Sequence, residues 1–345
     1  MADGGQESDG GRAGSAATVV PPGLWGRPTL THSFEWMSAL GLLVALLALG
    51  ALVTSQSEFF LTTGNLVNIG RATAYLGVVS AATTIVLICG ELDLSIGAII
   101  ALGGVASAVV LQAGYSGGLA IAAGLGVGLL AGLVNAALIV GLGVNALICT
   151  IGTQFAFRGL AFIWTSGTAI DAYGYSGFAY LGQGRVGGIY VSTIALVAVF
   201  IVLGLLLSQT RYGSHVYTIG GSRIAARRVG VRVNRVRTSV YLLSGVAAAL
   251  GGIIVVSANG SASAVSGTGS ELVIISAVII GGTGLAGGRG NLVGTFLGVA
   301  FLGVLQNGMD IVGLQAYWQL FVQGVVLIVA ITVDEQFRRR REREE

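Results

Sequence analysis

The sequence contains no lysine; all 18 of its basic residues are arginine. A phosphate-binding loop of the GxxxxGK[ST] type needs its lysine on the β- and γ-phosphates, so this chain cannot itself hold ATP in that way. Schiff-base chemistry is excluded for the same reason. Charge of either sign is scarce, at 10% of residues, where a soluble domain carries about a quarter. The chain therefore lacks the polar surface that water demands. With 2 histidines and 2 cysteines there is no cluster for zinc or haem. Cys89 and Cys149 lie within apolar runs and read as small buried hydrophobes. Three prolines are too few for proline kinks to be the main way of breaking helices. A secretory signal would need a basic start and a short apolar stretch; the first apolar run begins instead near Trp36, so an uncleaved first span is expected.

What is present is apolar. Hydrophobic residues make up 54% and mean hydropathy is +0.86. Apolar runs at 36–53, 72–90, 94–113, 118–141, 144–165, 191–208, 238–257, 271–286, 291–306 and 318–333 approach the ~20 residues that cross a bilayer as a helix. The 57 glycines sit mostly inside these runs, where small residues let membrane helices approach closely. The expected fold is all-α: a polytopic transmembrane bundle of about ten segments, the shorter ones broken or half-membrane helices. Residues 1–35, rich in Gly, Ser, Ala, Pro and Asp, read as a disordered tail; 36–334 form the membrane domain and 335–345 a charged C-terminal tail. The aromatic, glycine-rich stretch 166–190 reads as an exposed loop.

Arginine sets the orientation. Seven arginines fall in 209–237, five crowd the C-terminus and two lie in the N-terminal tail. Six runs precede the basic loop and four follow it, so all three basic regions can share the cytoplasmic side. The chain is expected in a bacterial plasma (inner) membrane with both termini cytoplasmic.

Three segments carry a mechanism. In 209–237, seven positive charges occur without an acidic residue. Gly220–Gly221 can break the chain, Ser222 can cap a helix, and Ile224–Val229 can form a helical turn whose small residues would fit a groove on another protein. The same charges would also anchor the loop on lipid headgroups. Gly90-Glu91-Leu92-Asp93-Leu94-Ser95-Ile96-Gly97 joins two apolar runs, and carboxylates there are costly unless they face water, a partner or a cavity. It reads either as an interrupted helix lining a pathway or as a tight surface turn with Asp93 capping the next helix. Gly281 to Gly290 (GGTGLAGGRG) reads as a break between two helices, and its likeness to 90–97 hints at two related halves. Further polar groups at membrane depth are Asn135, Asn145, Gln154, Arg158, Glu271, Gln306, Asn307 and Asp310. They suit either recognition of an uncharged polyhydroxylated solute or hydrogen bonds between helices. The candidates for the substrate pathway are Glu91, Asp93, Ser95, Asn145, Gln154 and Asn307.

At these three segments the chain resembles the ribose/xylose/galactose branch of bacterial ABC-importer permeases, from roughly Phe59 to Asp334. Glu91-Leu92-Asp93-Leu94-Ser95-Ile96-Gly97 is similar to the family's "(G)IDLSVG" segment. Tyr217 to Ser222 with Ala225-Ala226-Arg227 and Gly230-Val231 is similar to its "AIGGNxxAARxxGI" loop, and Ala277 to Gly290 to its "AVVIGGTSLSGGRG" segment. The sequence departs in Ser222, where Asn is usual, and in Glu91, where Gly is frequent.

The resemblance implies a permease subunit that imports a monosaccharide, pentose or hexose. Its partners would be a separate ATPase subunit that uses ATP and Mg, an extracytoplasmic sugar-binding protein, a second permease subunit (identical or not) and membrane lipid. No nucleic-acid partner and no cofactor on this chain are expected. By the same analogy Gly220, Gly221, Ser222, Ala225, Ala226, Arg227 and Gly230 belong to the ATPase-coupling loop. The alternatives are a branched-chain amino-acid permease, whose relatives usually carry an "INFAHG"-like sequence instead of Leu92–Gly97, and a proton-coupled secondary transporter using Glu91 or Asp93. No nucleophile–base pair supports an enzyme.

Overall fold

The computed structural model describes residues 29–341. Most of the expected N-terminal tail and the last four residues lie outside that range. Thirteen helices run in chain order: α1 (Thr29–Gln56), α2 (Thr63–Ile88), α3 (Ile96–Gln112), α4 (Gly117–Ala136, continued by a π-turn at Ala137–Gly141), α5 (Ala146–Thr165), α6 (Ser176–Gln183), α7 (Val191–Gln209), α8 (Arg211–Gly221), α9 (Arg223–Arg228), α10 (Val233–Asn259), α11 (Ser270–Ile280), α12 (Leu292–Ile311) and α13 (Ala316–Arg341). Seven of them are long and apolar enough to cross a membrane: those at 39–56, 63–88, 117–141, 146–165, 191–209, 233–259 and 292–311. Three shorter apolar helices, at 96–112, 270–280 and 316–332, account for the remaining runs. Among the described residues the bundle is polytopic and all-helical apart from two short antiparallel pairs, β1 (Ile170–Asp171) with β4 (Ser261–Ala262) and β2 (Arg185–Val186) with β3 (Ile189–Tyr190).

Local chemistry sets the helix starts. Thr62, Ser116, Asn145, Thr210, Ser222 and Asn291 each stand at an N-cap and accept a backbone N–H of the first turn of α2, α4, α5, α8, α9 and α12. The centre of the bundle is α10 packed on α2, α3 and α4. A Cβ on Gly128 or Gly132 of α4 would overlap the carbonyls of Gly245 or Tyr241, and one on Gly252 would overlap that of Ile100. Backbone thus lies against backbone across α3, α4 and α10, the small-residue packing that replaces the hydrophobic effect in lipid. By contrast α1, α5 and α7 expose most of their apolar side chains to the surroundings.

The stretch 166–190 is not a simple exposed loop. It contains α6, whose Phe178 is 1% exposed, and it folds back on the C-terminal end of α10. Gly182 donates its N–H to Ser257 Oγ at 2.7 Å, and Arg71 of α2 reaches the Gly182 and Ala258 carbonyls at 3.0 and 2.9 Å. The aromatic and glycine content that reads as loop is here the means of close packing: a Cβ on Gly182 would run into the Ala258 backbone. This cap closes the end of the bundle opposite α8 and α9.

Candidate functional site

The three motif segments, far apart in sequence, meet at one end of the bundle. α2 ends with Gly90 at φ +72°, and Glu91 N–H returns to the Val86 carbonyl at 3.1 Å. α11 ends in the same way: Gly282 has φ +87°, and Thr283 N–H returns to the Val278 carbonyl at 3.2 Å. Both are helix stops that a left-handed glycine permits. The two stops are then tied together, because Gly288 (φ +73°) donates its N–H to the Ile88 carbonyl at 2.8 Å. Gly220, in the last turn of α8, is wedged between them; a Cβ there would overlap both Ile88 O and Gly288 N. Tyr217 adds a hydrogen bond from its hydroxyl to the Gly290 carbonyl at 2.7 Å. Segments 88–91, 217–221 and 287–290 therefore form one junction.

Glu91 fastens this junction to the basic loop. Its side chain has 0% exposure and accepts from Arg223 at 2.8 Å, from Arg237 Nε, and from the Tyr241 hydroxyl at 2.8 Å. Arg223, on α9, also donates to the Gly90 carbonyl at 3.0 Å. A buried carboxylate with three donors, two of them guanidinium groups, is compensated rather than stranded. Asp93 is held separately: it accepts from Ser95 N–H at 3.0 Å, Ser95 Oγ at 2.6 Å and Ser244 Oγ at 2.8 Å. Asn135 of α4 completes that network through Ser95 Oγ at 2.8 Å. Asp93→Asn keeps the shape but replaces one acceptor oxygen with donors. Its expected cost is about 1–3 kcal/mol, read as an earlier thermal midpoint of the purified chain in detergent; an unshifted midpoint would show that Asp93 does not hold this end together.

Of the pathway candidates, Glu91, Asp93 and Ser95 are thus neighbours, and all three are buried. The others lie elsewhere. Asn145 is the exposed cap of α5, accepting from Leu147 and Ile148 N–H at 3.0 and 3.3 Å. Gln154 donates to Glu271 at 2.9 Å, joining α5 to α11. Asn307 exchanges two 2.9 Å hydrogen bonds with Asn65, joining α12 to α2. In the coupling loop Gly221, Ser222, Ala225, Arg227 and Gly230 are exposed, whereas Ala226 is 0% exposed and faces the chain's own core. The outward apolar residues of the loop are Ile224 and Val229, 69% and 70% exposed. Arg237, Tyr241 and Ser244 were not among the candidates from sequence, and each supplies a donor to Glu91 or Asp93.

The ends of α2 and α11 are thus fastened to the short helix pair α8–α9, and comparison with known proteins gives the class of the chain: a membrane transport permease and not an enzyme. A family profile described as the branched-chain amino acid transport system / permease component matches residues 65–331, and the chain belongs to this family. Among its relatives, the ribose import permease protein of Escherichia coli strain K12 is 35% identical over 305 residues, covering 87% of this chain and 95% of that one. The ribose import permease protein of Bacillus subtilis strain 168 is 37% identical over 301 residues, covering 87% and 94%. The L-arabinose transport system permease protein of E. coli K12 is 35% identical over 275 residues, covering 80% and 84%. No solved structure matches the chain.

Proposed function

We propose that this chain is the membrane permease of an ATP-binding-cassette importer that carries a monosaccharide inward. A separate ATPase subunit, using ATP and Mg, docks on α9 from the cytoplasm; an extracytoplasmic binding protein delivers the sugar, and a second permease subunit completes the pathway. The observation that carries the mechanism is the convergence of the α8–α9 root on the ends of both α2 and α11. A displacement of α9 would reach those ends through Arg223, which is bonded to Glu91 and the Gly90 carbonyl, and through Gly220 of the preceding α8, which is wedged between them. The two carboxylates of the proton-coupled alternative are both engaged by several donors, and the relatives named above are sugar permeases.

Docking is tested on the outward face. Ile224→Glu with Val229→Glu changes two exposed side chains, so the chain should reach the membrane with an unaltered melting profile. ATPase co-purification should fall by about tenfold or more, as expected when apolar anchors are replaced by buried charge. Retained co-purification with normal ATP-dependent uptake would remove α9 from the docking surface. Uptake that survives ATP depletion but collapses with the proton gradient would overturn the ABC reading altogether.

A further inference from the structure

A cavity of about 390 Å³ opens between α2, the start of α11, α12 and α13. It lies within the ~300–1,000 Å³ range of small-molecule pockets. Its polar lining includes Asn68, Ser270, Gln306, Asp310, Gln323 and Asn307, the last of them one of the pathway candidates from sequence, with the Tyr75 ring among them. Asn68, on α2, is exposed. On the α12–α13 side the amides are held in a chain: Gln323 donates to Gln306 at 2.7 Å, Gln306 donates to Gln319, and Gln319 donates to Asp310 at 2.8 Å. The segment that leads into Thr268 is held by Arg158, which donates to the Ala264 and Ser266 carbonyls at 2.7 and 2.6 Å. The lining is therefore preorganised, with amide, hydroxyl and carboxylate groups that can both donate and accept.

From these groups we infer that the cavity is the solute site of the chain, and that it takes one uncharged polyhydroxylated molecule of monosaccharide size. The inference rests on the transport reading above and adds the site to it. An amino acid fits less well, because no arginine or histidine lines the cavity. The N-terminus of α11 does not supply the missing positive charge, since Glu271 already occupies its first turn. A lipid tail would cover the amides and the carboxylate without pairing them. The position also fits: Thr73 beside the cavity and Ile88 at the junction lie on one helix, roughly 20 Å apart along its axis. The cavity is thus at the end of the bundle away from α9, where a solute would arrive.

The test uses the full importer in membrane vesicles, with a panel of pentoses and hexoses (D-ribose, L-arabinose, D-xylose, D-galactose and D-glucose) as the probes. Wild-type uptake of at least one of them with ATP is the first measurement; its absence would remove the sugar reading itself. Given wild-type uptake, Ala72→Trp, which fills the cavity from an exposed lining position, should reduce uptake about tenfold or more while ATPase co-purification is unchanged. Asn68→Cys should react with a charged methanethiosulfonate reagent, and the transported sugar should slow that reaction severalfold. Normal uptake by Ala72→Trp, or labelling of Asn68→Cys that the sugar leaves unchanged, would overturn the cavity assignment and leave the transport function standing. Crosslinking of the cavity by a photoactivatable lipid that the sugar does not displace would overturn it too.

Discussion

Replacing Glu91 with alanine is expected to lower the stability of the purified chain by about 3 kcal/mol or more and to abolish uptake. The effect follows from what remains. Arg237, with an 11% exposed side chain, and Tyr241, with none of its surface exposed, would keep their donors in a nearly dry site without the acceptor they share. Truncating one partner of such a group costs far more than the intact pair contributes, because the surviving charge is stranded. Arg223 behaves differently. Its side chain is 47% exposed, so water replaces the carboxylate when the pair is broken.

The two arginines on Glu91 therefore separate stability from coupling. Arg237→Ala should melt early, whereas Arg223→Ala should melt within about 1 kcal/mol of wild type. On the proposed mechanism Arg223→Ala still lowers transport per ATP hydrolysed, because it frees α9 from the end of α2. Equal melting losses for both variants would show that Arg223 is simply part of the packing. Glu91→Ala with a wild-type midpoint would remove the whole network from the account.

Much of the bundle was legible from hydropathy alone. Each of the ten apolar runs contains or overlaps an apolar helix, because crossing lipid demands a long internally bonded segment and leaves a long signal. The short elements were less legible. α6 and α8 are glycine-rich and aromatic, so composition reads them as loop; their stability comes from contacts of Phe178, Val216 and Ile219 with distant helices. The cost of the carboxylates at 91 and 93 was visible in the sequence, but not what offsets it. The partners Arg237, Tyr241 and Ser244 stand about 150 positions away, and no periodicity links residues at that range. Ala226 shows the same limit: its small size suits a groove on another protein or a core position equally, and only the packing of α9 shows that it faces inward.

The largest contrast expected between adjacent residues is at Gly220 and Gly221. A methyl group on Gly220 would overlap the Ile88 carbonyl oxygen and the Gly288 nitrogen, the two atoms that bond α2 to the α11–α12 connection. Both are backbone atoms, so neither can swing aside as a side chain would. Either the hydrogen bond opens or α8 withdraws from the junction. Gly220→Ala should therefore cost about 1–3 kcal/mol in stability and Gly220→Val more, with uptake lost in both. Gly221 has open space around its Cβ position, and Gly221→Ala should be silent or slightly stabilising at the end of a helix. Thermal midpoints and ATP-dependent uptake of the pair decide the matter. If Gly220→Ala transports normally, the close approach of α8 to the two helix stops is not what carries motion into the membrane. If it folds and binds the ATPase yet does not transport, the junction is the step between docking and passage of solute.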